Sequence, residues 1–207
     1  MNSHGSRFLI AVVAFALLSM AWAQAQPATK VADPRHHKMV LTSTTFSDGG
    51  TIPLSAVWNQ CSAYPGGGNQ SPQLSWTGAP RKTRSFIVFM YDVTASFTHW
   101  GIYNIASPTT SLPENAGVAG STFGTQVLND YGVGDESYDG PCPPPMFTPV
   151  SHHYVFTVYA LDTTLPTLPT YGDFPPGAES LYQAIIAAGR NGDILDSASI
   201  SGFFPSP

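Results

Sequence analysis

Basic residues are scarce in this chain. It has 8 Lys and Arg against 13 Asp and Glu in 207 residues, which gives a formal net charge of −5. None of the basic residues lies between Ser85 and Gly189. A protein that binds nucleic acid needs a basic surface to displace the counterions of the phosphate backbone. The shortage of positive charge therefore argues against nucleic acid as a partner.

Long apolar runs are also scarce. One run, from Phe8 to Met20, follows a start with a single positive charge and precedes the small-residue pattern Ala21-Trp22-Ala23. It is shorter than the roughly 20 apolar residues that a spanning helix needs. Residues 1–23 are therefore predicted to be a signal peptide, and the polar residues 24–38 a flexible leader. The mature protein is expected to be periplasmic or secreted, without an integral membrane segment, and residues 39–207 to form one domain.

Cysteine is limited to Cys61 and Cys142. Two cysteines in an exported protein are typical of a disulfide, and two separate buried thiols are the alternative. Neither cysteine has a base beside it in sequence, and the chain lacks a Gly-x-Ser-x-Gly motif. The sequence therefore offers no recognisable nucleophile for a hydrolase.

The chain has 19 Gly and 19 Pro, which argue against a helix bundle and favour a mainly β domain rich in loops. Short apolar, β-branched and aromatic runs between turn residues predict strands. These runs are Met39–Phe46, Ile52–Trp58, Leu74–Trp76, Ser85–Tyr91, Trp100–Ile105, Thr125–Leu128 and His153–Leu161. One segment, Ala178–Gly189, has apolar residues at helical spacing and is expected to cover an edge or face of the sheet.

Polar side chains gather where predicted strands begin or end. Asp92 follows one strand, His152 and Tyr154 begin another, and His99 precedes a third. Because side chains alternate along a strand, His152 and Tyr154 share one face and His153 lies on the other. A carboxylate, imidazoles and a phenol together suit a small anionic or zwitterionic ligand. Taken singly, an Asp at a strand end is more often a turn residue, and a lone His on an apolar strand is more often part of the core.

Several motifs occur in an order that resembles one known family. They are Asn69-Gln-Ser-Pro-Gln-Leu-Ser-Trp76, Tyr91-Asp92 with His99-Trp100 and Asn104, Gly140-Pro-Cys-Pro-Pro144, His152-His-Tyr-Val-Phe156 and the closing segment Ser197–Phe204. Together they resemble the phosphatidylethanolamine-binding protein family, also called the Raf kinase inhibitor protein family, in its exported bacterial branch. The resemblance implies a single-domain β-sandwich with a large central sheet and a C-terminal helix.

The same resemblance implies a ligand pocket. Its expected ligand-binding residues are Asp92, His99, Gly140, Pro141, His152 and Tyr154, with the Gly140 N–H available to an anion. It also places Cys61 and Cys142 near one rim of this pocket, which favours the disulfide. The implied ligands are phosphate or phospholipid head groups, and a protein partner is a further expectation. On this interpretation the protein is a binding module, not an enzyme, and needs no cofactor, metal or catalytic residue.

The sequence departs from the family pattern beside Asp92. The family reads Asp-Pro-Asp-Ala-Pro, whereas this chain reads Asp92-Val-Thr-Ala-Ser96, so one wall of the pocket is expected to be shorter or more mobile. Asp92 is expected to orient His99 or to raise its pKa. Two alternatives stay open: a hydrolase or metal-dependent enzyme that uses Asp92, His99 and His152, and an exported structural domain with a vestigial pocket.

Overall fold

The computed structural model describes residues 38–132, 136–146, 150–170, 172 and 174–207. The predicted signal peptide, and the predicted leader up to residue 37, lie outside the described residues. No helix in the described part of the chain is long and apolar enough to cross a membrane.

Two β-sheets face each other. The larger has six strands in the order β2 (Gly50–Thr51), β9 (Ile194–Pro205), β8 (Ser151–Leu161), β4 (Ser85–Asp92), β5 (Phe97–Ala106) and β7 (Thr125–Gln126). The smaller has three, in the order β1 (Val40–Thr42), β3 (Leu74–Thr77) and β6 (Ser111–Leu112). β2 runs parallel to β9, and the remaining strand pairs are antiparallel. The prediction of a mainly β domain with a large central sheet is confirmed.

Both faces of the large sheet are covered, which explains the nearly continuous apolar sequence of β4. Phe86 and Val88 point into the core between the two sheets. Ile87 and Phe89 point to the other face, where they pack with Leu181 of α1 (Ala178–Asn191). Strands that are buried on both sides need apolar residues at every position. The predicted helix therefore exists and covers one sheet face, as expected.

The strand predictions differ from the structure in several places: β1 is shorter than the run predicted from Met39 to Phe46, and the two-residue strands β2 and β6 were not predicted. Residues 52–58 do not form a strand, because Pro53, which cannot donate a ladder hydrogen bond, leads into a 3₁₀ turn at Leu54–Ala56. Strand β9 was not predicted as a strand, since its serines and Gly202 obscure the apolar pattern. Its pairing with β8 over the whole length of that strand defines it instead.

Candidate functional site

A β-bulge gives the site its geometry. On β4 and β5, Met90 pairs with Trp100 and Tyr91 pairs with Thr98, so His99 is the extra residue of the bulge. A bulge interrupts the alternation of side chains and turns the extra residue toward a new direction. The His99 ring consequently lies 5.2 Å from the ring of Tyr154, on the same side of the sheet as Trp100.

Asp92 is buried at the end of β4 and is hydrogen-bonded through both carboxylate oxygens. Oδ2 lies 2.6 Å from His152 Nδ1. Oδ1 accepts hydrogen bonds from the backbone N–H groups of Thr94 (2.8 Å) and Ala95 (3.1 Å). Asp92 is thus both a turn residue and a partner of an imidazole. The turn also holds the altered segment in place, since Thr94 Oγ1 accepts the N–H of His153 at 3.0 Å.

His99 is held by the backbone, not by Asp92. Its Nδ1 lies 2.8 Å from the carbonyl oxygen of Asp139, which can only accept, so Nδ1 carries the proton. Burial lowers the pKa of His99, although the Asp139 carbonyl and the negative charge of Asp92 act in the opposite direction. The charge of Asp92 does raise the pKa of His99, as expected, but burial outweighs it. The carbonyl of Asp139, and not Asp92, orients the ring, because the Asp92 carboxylate pairs with His152.

Two tyrosines complete the aromatic wall. Burial, and next to it the charge of Asp92, raise the pKa of Tyr154, so its phenol stays neutral. Burial likewise raises the pKa of Tyr131, and its hydroxyl donates to the Gly140 carbonyl at 3.3 Å. Tyr131 also stacks on Trp58, with ring centroids 4.5 Å apart. Neutral phenols can donate hydrogen bonds to an anion but bring no positive charge.

These side chains surround a pocket of about 130 Å³. The lining residues are Asp92, Ala95, Phe97, His99, Tyr131, Cys142, Pro143, Pro144, His152 and Tyr154. Four of the six predicted ligand-binding residues, Asp92, His99, His152 and Tyr154, are thus brought together. None of the lining residues is Lys or Arg. Within the described residues, no three His, Cys, Asp or Glu side chains are grouped closely enough to hold a metal ion.

Gly140 and Pro141, the other two predicted residues, do not line this pocket. The N–H of Gly140 donates to Asn69 Oδ1 at 2.9 Å and is not free for an anion. A Cβ at Gly140 would lie 1.8 Å from the carbonyl oxygen of Ala56, so close packing against the backbone requires glycine here. The carbonyl of Pro141 accepts the N–H of Trp58 at 3.2 Å. Both residues thus hold the rim of the pocket through contacts with Asn69 and Trp58. The expectation that the Gly140 N–H is available to an anion is corrected.

A disulfide joins Cys61 to Cys142, with the two Cα atoms 5.5 Å apart. Cys61 is buried in the core between the sheets, while Cys142 lines the pocket. The bond therefore ties one rim of the pocket directly to the core. The sequence favoured this pairing.

Tyr131 and Asp139 were not predicted from the sequence. The carboxylate of Asp139 accepts hydrogen bonds from Asn69 Nδ2 (2.8 Å) and Asn129 Nδ2 (2.9 Å), and its carbonyl holds His99. Both residues lie in the long connection between β7 and β8. The local sequence around Tyr131 and Asp139 gives no sign of a role in the site. The one available signal is Asn69, a hydrogen-bond partner of Asp139 that belongs to a family motif.

Comparison with known proteins agrees with the fold. Residues 42–204 match the family described as phosphatidylethanolamine-binding protein. A UPF0098 protein of Methanothermobacter thermautotrophicus is 35% identical over 171 residues, which cover 80% of this chain and 98% of that protein. The UPF0098 protein YbcL of Escherichia coli is 41% identical over 131 residues, which cover 59% of this chain and 68% of that protein.

Solved structures give the same result. The crystal structure of E. coli YbcL, described as a new member of the mammalian PEBP family, has a TM-score of 0.64 and 31% sequence identity to this chain. The similarity covers 81% of this chain and 98% of that one. A phosphatidylethanolamine-binding protein homologue of Chlamydia trachomatis has a TM-score of 0.60 at 29% identity, covering 81% of this chain and 97% of its own. The chain therefore belongs to the phosphatidylethanolamine-binding protein family.

Proposed function

We propose that this protein is an exported binding protein whose pocket takes a small zwitterionic phosphate compound, of the phospholipid head-group type. One observation carries the proposal. Both pocket imidazoles use Nδ1 internally, His152 with Asp92 and His99 with the Asp139 carbonyl, so that only the Nε2 atoms are left for a ligand.

The protonation of His99 decides which ligands suit the pocket. Burial lowers its pKa, so near neutral pH its Nε2 is an acceptor and cannot donate to an anion. A ligand that brings its own proton satisfies this atom, either the O–H of a singly charged phosphate or the N–H of an ammonium group. The neutral phenol of Tyr154, whose hydroxyl hydrogen-bonds to the Asp92 carboxylate, can exchange that partner for a phosphate oxygen.

Charge at the site favours a zwitterion over a bare dianion. The buried carboxylate of Asp92 repels a doubly charged phosphate, and no Lys or Arg lines the pocket to compensate. An ammonium group on the ligand reduces this repulsion. The volume of about 130 Å³ holds a head group but not acyl chains, since pockets for larger ligands measure roughly 300–1,000 Å³.

We propose a binding module and not an enzyme because the lining contains no activated hydroxyl or thiol of the Ser, Thr or Cys type. It has no Ser or Thr, and its one cysteine, Cys142, is in the disulfide. The contact of 2.6 Å between His152 Nδ1 and Asp92 Oδ2 favours one second candidate, a hydrolase in which His152 Nε2 activates a water molecule. Any protein partner of the exported chain would be periplasmic or extracellular.

Calorimetric titration with phosphoethanolamine tests the proposal. We expect binding that is stronger at pH 6 than at pH 8 and is lost in His152→Gln. His153→Gln is the matched control, because it lies one position along the same strand on the opposite face and does not line the pocket. Equal loss in both variants, or no binding to the parent protein, would contradict the proposal. Hydrolysis of phosphodiesters or esters that disappears in His152→Gln would favour the hydrolase.

A further inference from the structure

The positive charge of the described chain is gathered at one end of the sandwich, opposite the pocket. Its Lys and Arg residues are Lys38, Arg81, Lys82, Arg84 and Arg190. Arg81, Lys82 and Arg84 lie on the loop between β3 and β4, at the end of β4 farthest from Asp92. Since β4 has eight residues, this loop and the pocket are about 24 Å apart along the strand.

The other two cations lie at the same end. The register of β1 on β3 pairs Val40 with Thr77, so Lys38 continues toward the loop that follows β3. Arg190 is in the last turn of α1. Just after that helix, the Asp193 carbonyl accepts the N–H of Asp162, which follows the end of β8. That end of β8 pairs with Ser85 at the start of β4, so Arg190 lies near the loop cations. We name the surface formed by Lys38, Arg81, Lys82, Arg84 and Arg190 the basic end.

The basic end is built for exposure. Thr83 closes a turn on the Pro80 carbonyl, through its N–H at 3.0 Å and its hydroxyl at 2.7 Å. Arg81 and Lys82 occupy the two corners of this turn and are exposed, as is Arg84. None of the three forms an ion pair or a side-chain hydrogen bond with any described residue. Their charges are therefore available to a partner.

The opposite half of the molecule is acidic. Asp162, Asp193 and Asp196 are the described carboxylates near the basic end, and the other seven, Asp92, Asp130 and Asp139 among them, lie toward the pocket. The Debye length is about 10 Å at 0.1 M salt, so a surface that meets the basic end is largely screened from the acidic half. The separation of charge favours one orientation on an anionic surface.

We propose that the basic end docks the protein on an anionic lipid bilayer, with the pocket facing away from that membrane. The three loop cations do not line the pocket at Asp92. Nor do they line the groove that residues 163–169 form against α1. Projecting side chains that form no ion pair with a described residue complement a diffuse, flat charged surface better than a shaped protein epitope. In this orientation the pocket samples soluble ligands and not the lipids of the docked bilayer.

Vesicle flotation at 0.1 M salt tests the proposal. We compare vesicles of phosphatidylcholine with vesicles that also contain 30% phosphatidylglycerol, and take the ratio of bound protein so that contributions common to both cancel. Each Lys or Arg near an anionic membrane strengthens binding roughly fivefold. The triple variant Arg81→Gln, Lys82→Gln, Arg84→Gln should therefore lose roughly 100-fold in affinity for the anionic vesicles, with an unchanged melting temperature.

The matched control removes three exposed carboxylates from the acidic half: Asp48→Asn, Glu114→Gln and Glu179→Gln. It shifts the net charge by three in the other direction, and we expect less than a threefold change in binding. If this control binds far more tightly, net charge and not the basic end controls binding, and the proposal fails. It also fails if parent and triple variant bind alike. If poly-glutamate binds the parent but anionic vesicles do not, the basic end is a protein-docking surface and the lipid proposal is wrong.

Discussion

Removal of the disulfide between Cys61 and Cys142 should cost a large part of the stability of the fold. The bond closes a loop with a sequence separation of 81 residues. On the chain-entropy relation, a closed loop of that length stabilises the folded state by about 4.5 kcal/mol, because it limits the freedom of the unfolded chain. For a domain of this size, such a loss lowers the melting temperature by roughly 9–18 °C.

The variants should be Cys→Ala, since Cys61 is buried in the apolar core and a serine hydroxyl there would add its own desolvation cost. Cys61→Ala alone opens the loop as completely as the double variant. We therefore expect the single and double variants to be destabilised by nearly equal amounts in urea unfolding, which is strong non-additivity. The reduced parent protein should unfold at the same urea concentration as the variants.

A loss smaller than about 1 kcal/mol in the double variant would refute the reasoning, because it would mean that the unfolded chain gains little freedom when the loop opens. Non-reducing peptide mapping of the purified parent protein provides the control. It should recover Cys61 and Cys142 in one linked peptide pair, and two alkylatable thiols would contradict the bond itself.

Further predictions concern glycine, the buried hydrogen bond between Asp92 and His152, and pH. Gly140→Ala should destabilise the fold by about 3 kcal/mol in urea unfolding, since the added Cβ would collide with the Ala56 carbonyl. Gly189→Ala should stabilise the fold by about 0.5–1 kcal/mol, because the position is helical and the nearest atom to an added Cβ is 3.8 Å away. Asp92→Asn should cost about 3 kcal/mol, because it leaves buried His152 without its carboxylate. The lowered pKa of His99 means that the unfolded chain binds its proton first, so stability should fall as pH drops below about 6.5. Replacement of His99 by Gln should flatten that slope, whereas His153→Gln should leave it in place.

Much of the site follows from the two-residue period of a strand. The alternation places His152 and Tyr154 on one face and His153 on the other, and in the structure His152 and Tyr154 line the pocket while His153 stacks on Phe203 instead. Asp92 pairs directly with Tyr154 across β4 and β8. A local pattern is sufficient here because both the strands and their faces are encoded by nearby residues.

Other parts of the site depend on contacts that no local pattern encodes. The bulge at His99 arises from how β5 pairs with β4, and it decides both the direction of the ring and its partner. Tyr131 and Asp139 are brought to the pocket by a long connection. The role of Gly140 is set by the distant backbone at Ala56. The family motif singled out Gly140, and the structure gives a packing reason for a glycine there.

The most direct test of the account follows the imidazole signals of His99 and His152 by NMR while phosphoethanolamine is added at pH 6 and at pH 8. The account predicts that both rings shift on binding, that His153 does not, and that affinity is higher at pH 6. It also predicts weaker binding of inorganic phosphate at pH 8, where that ligand is mainly a dianion. Shifts confined to residues outside the pocket, or an affinity that is the same at both pH values, would contradict it.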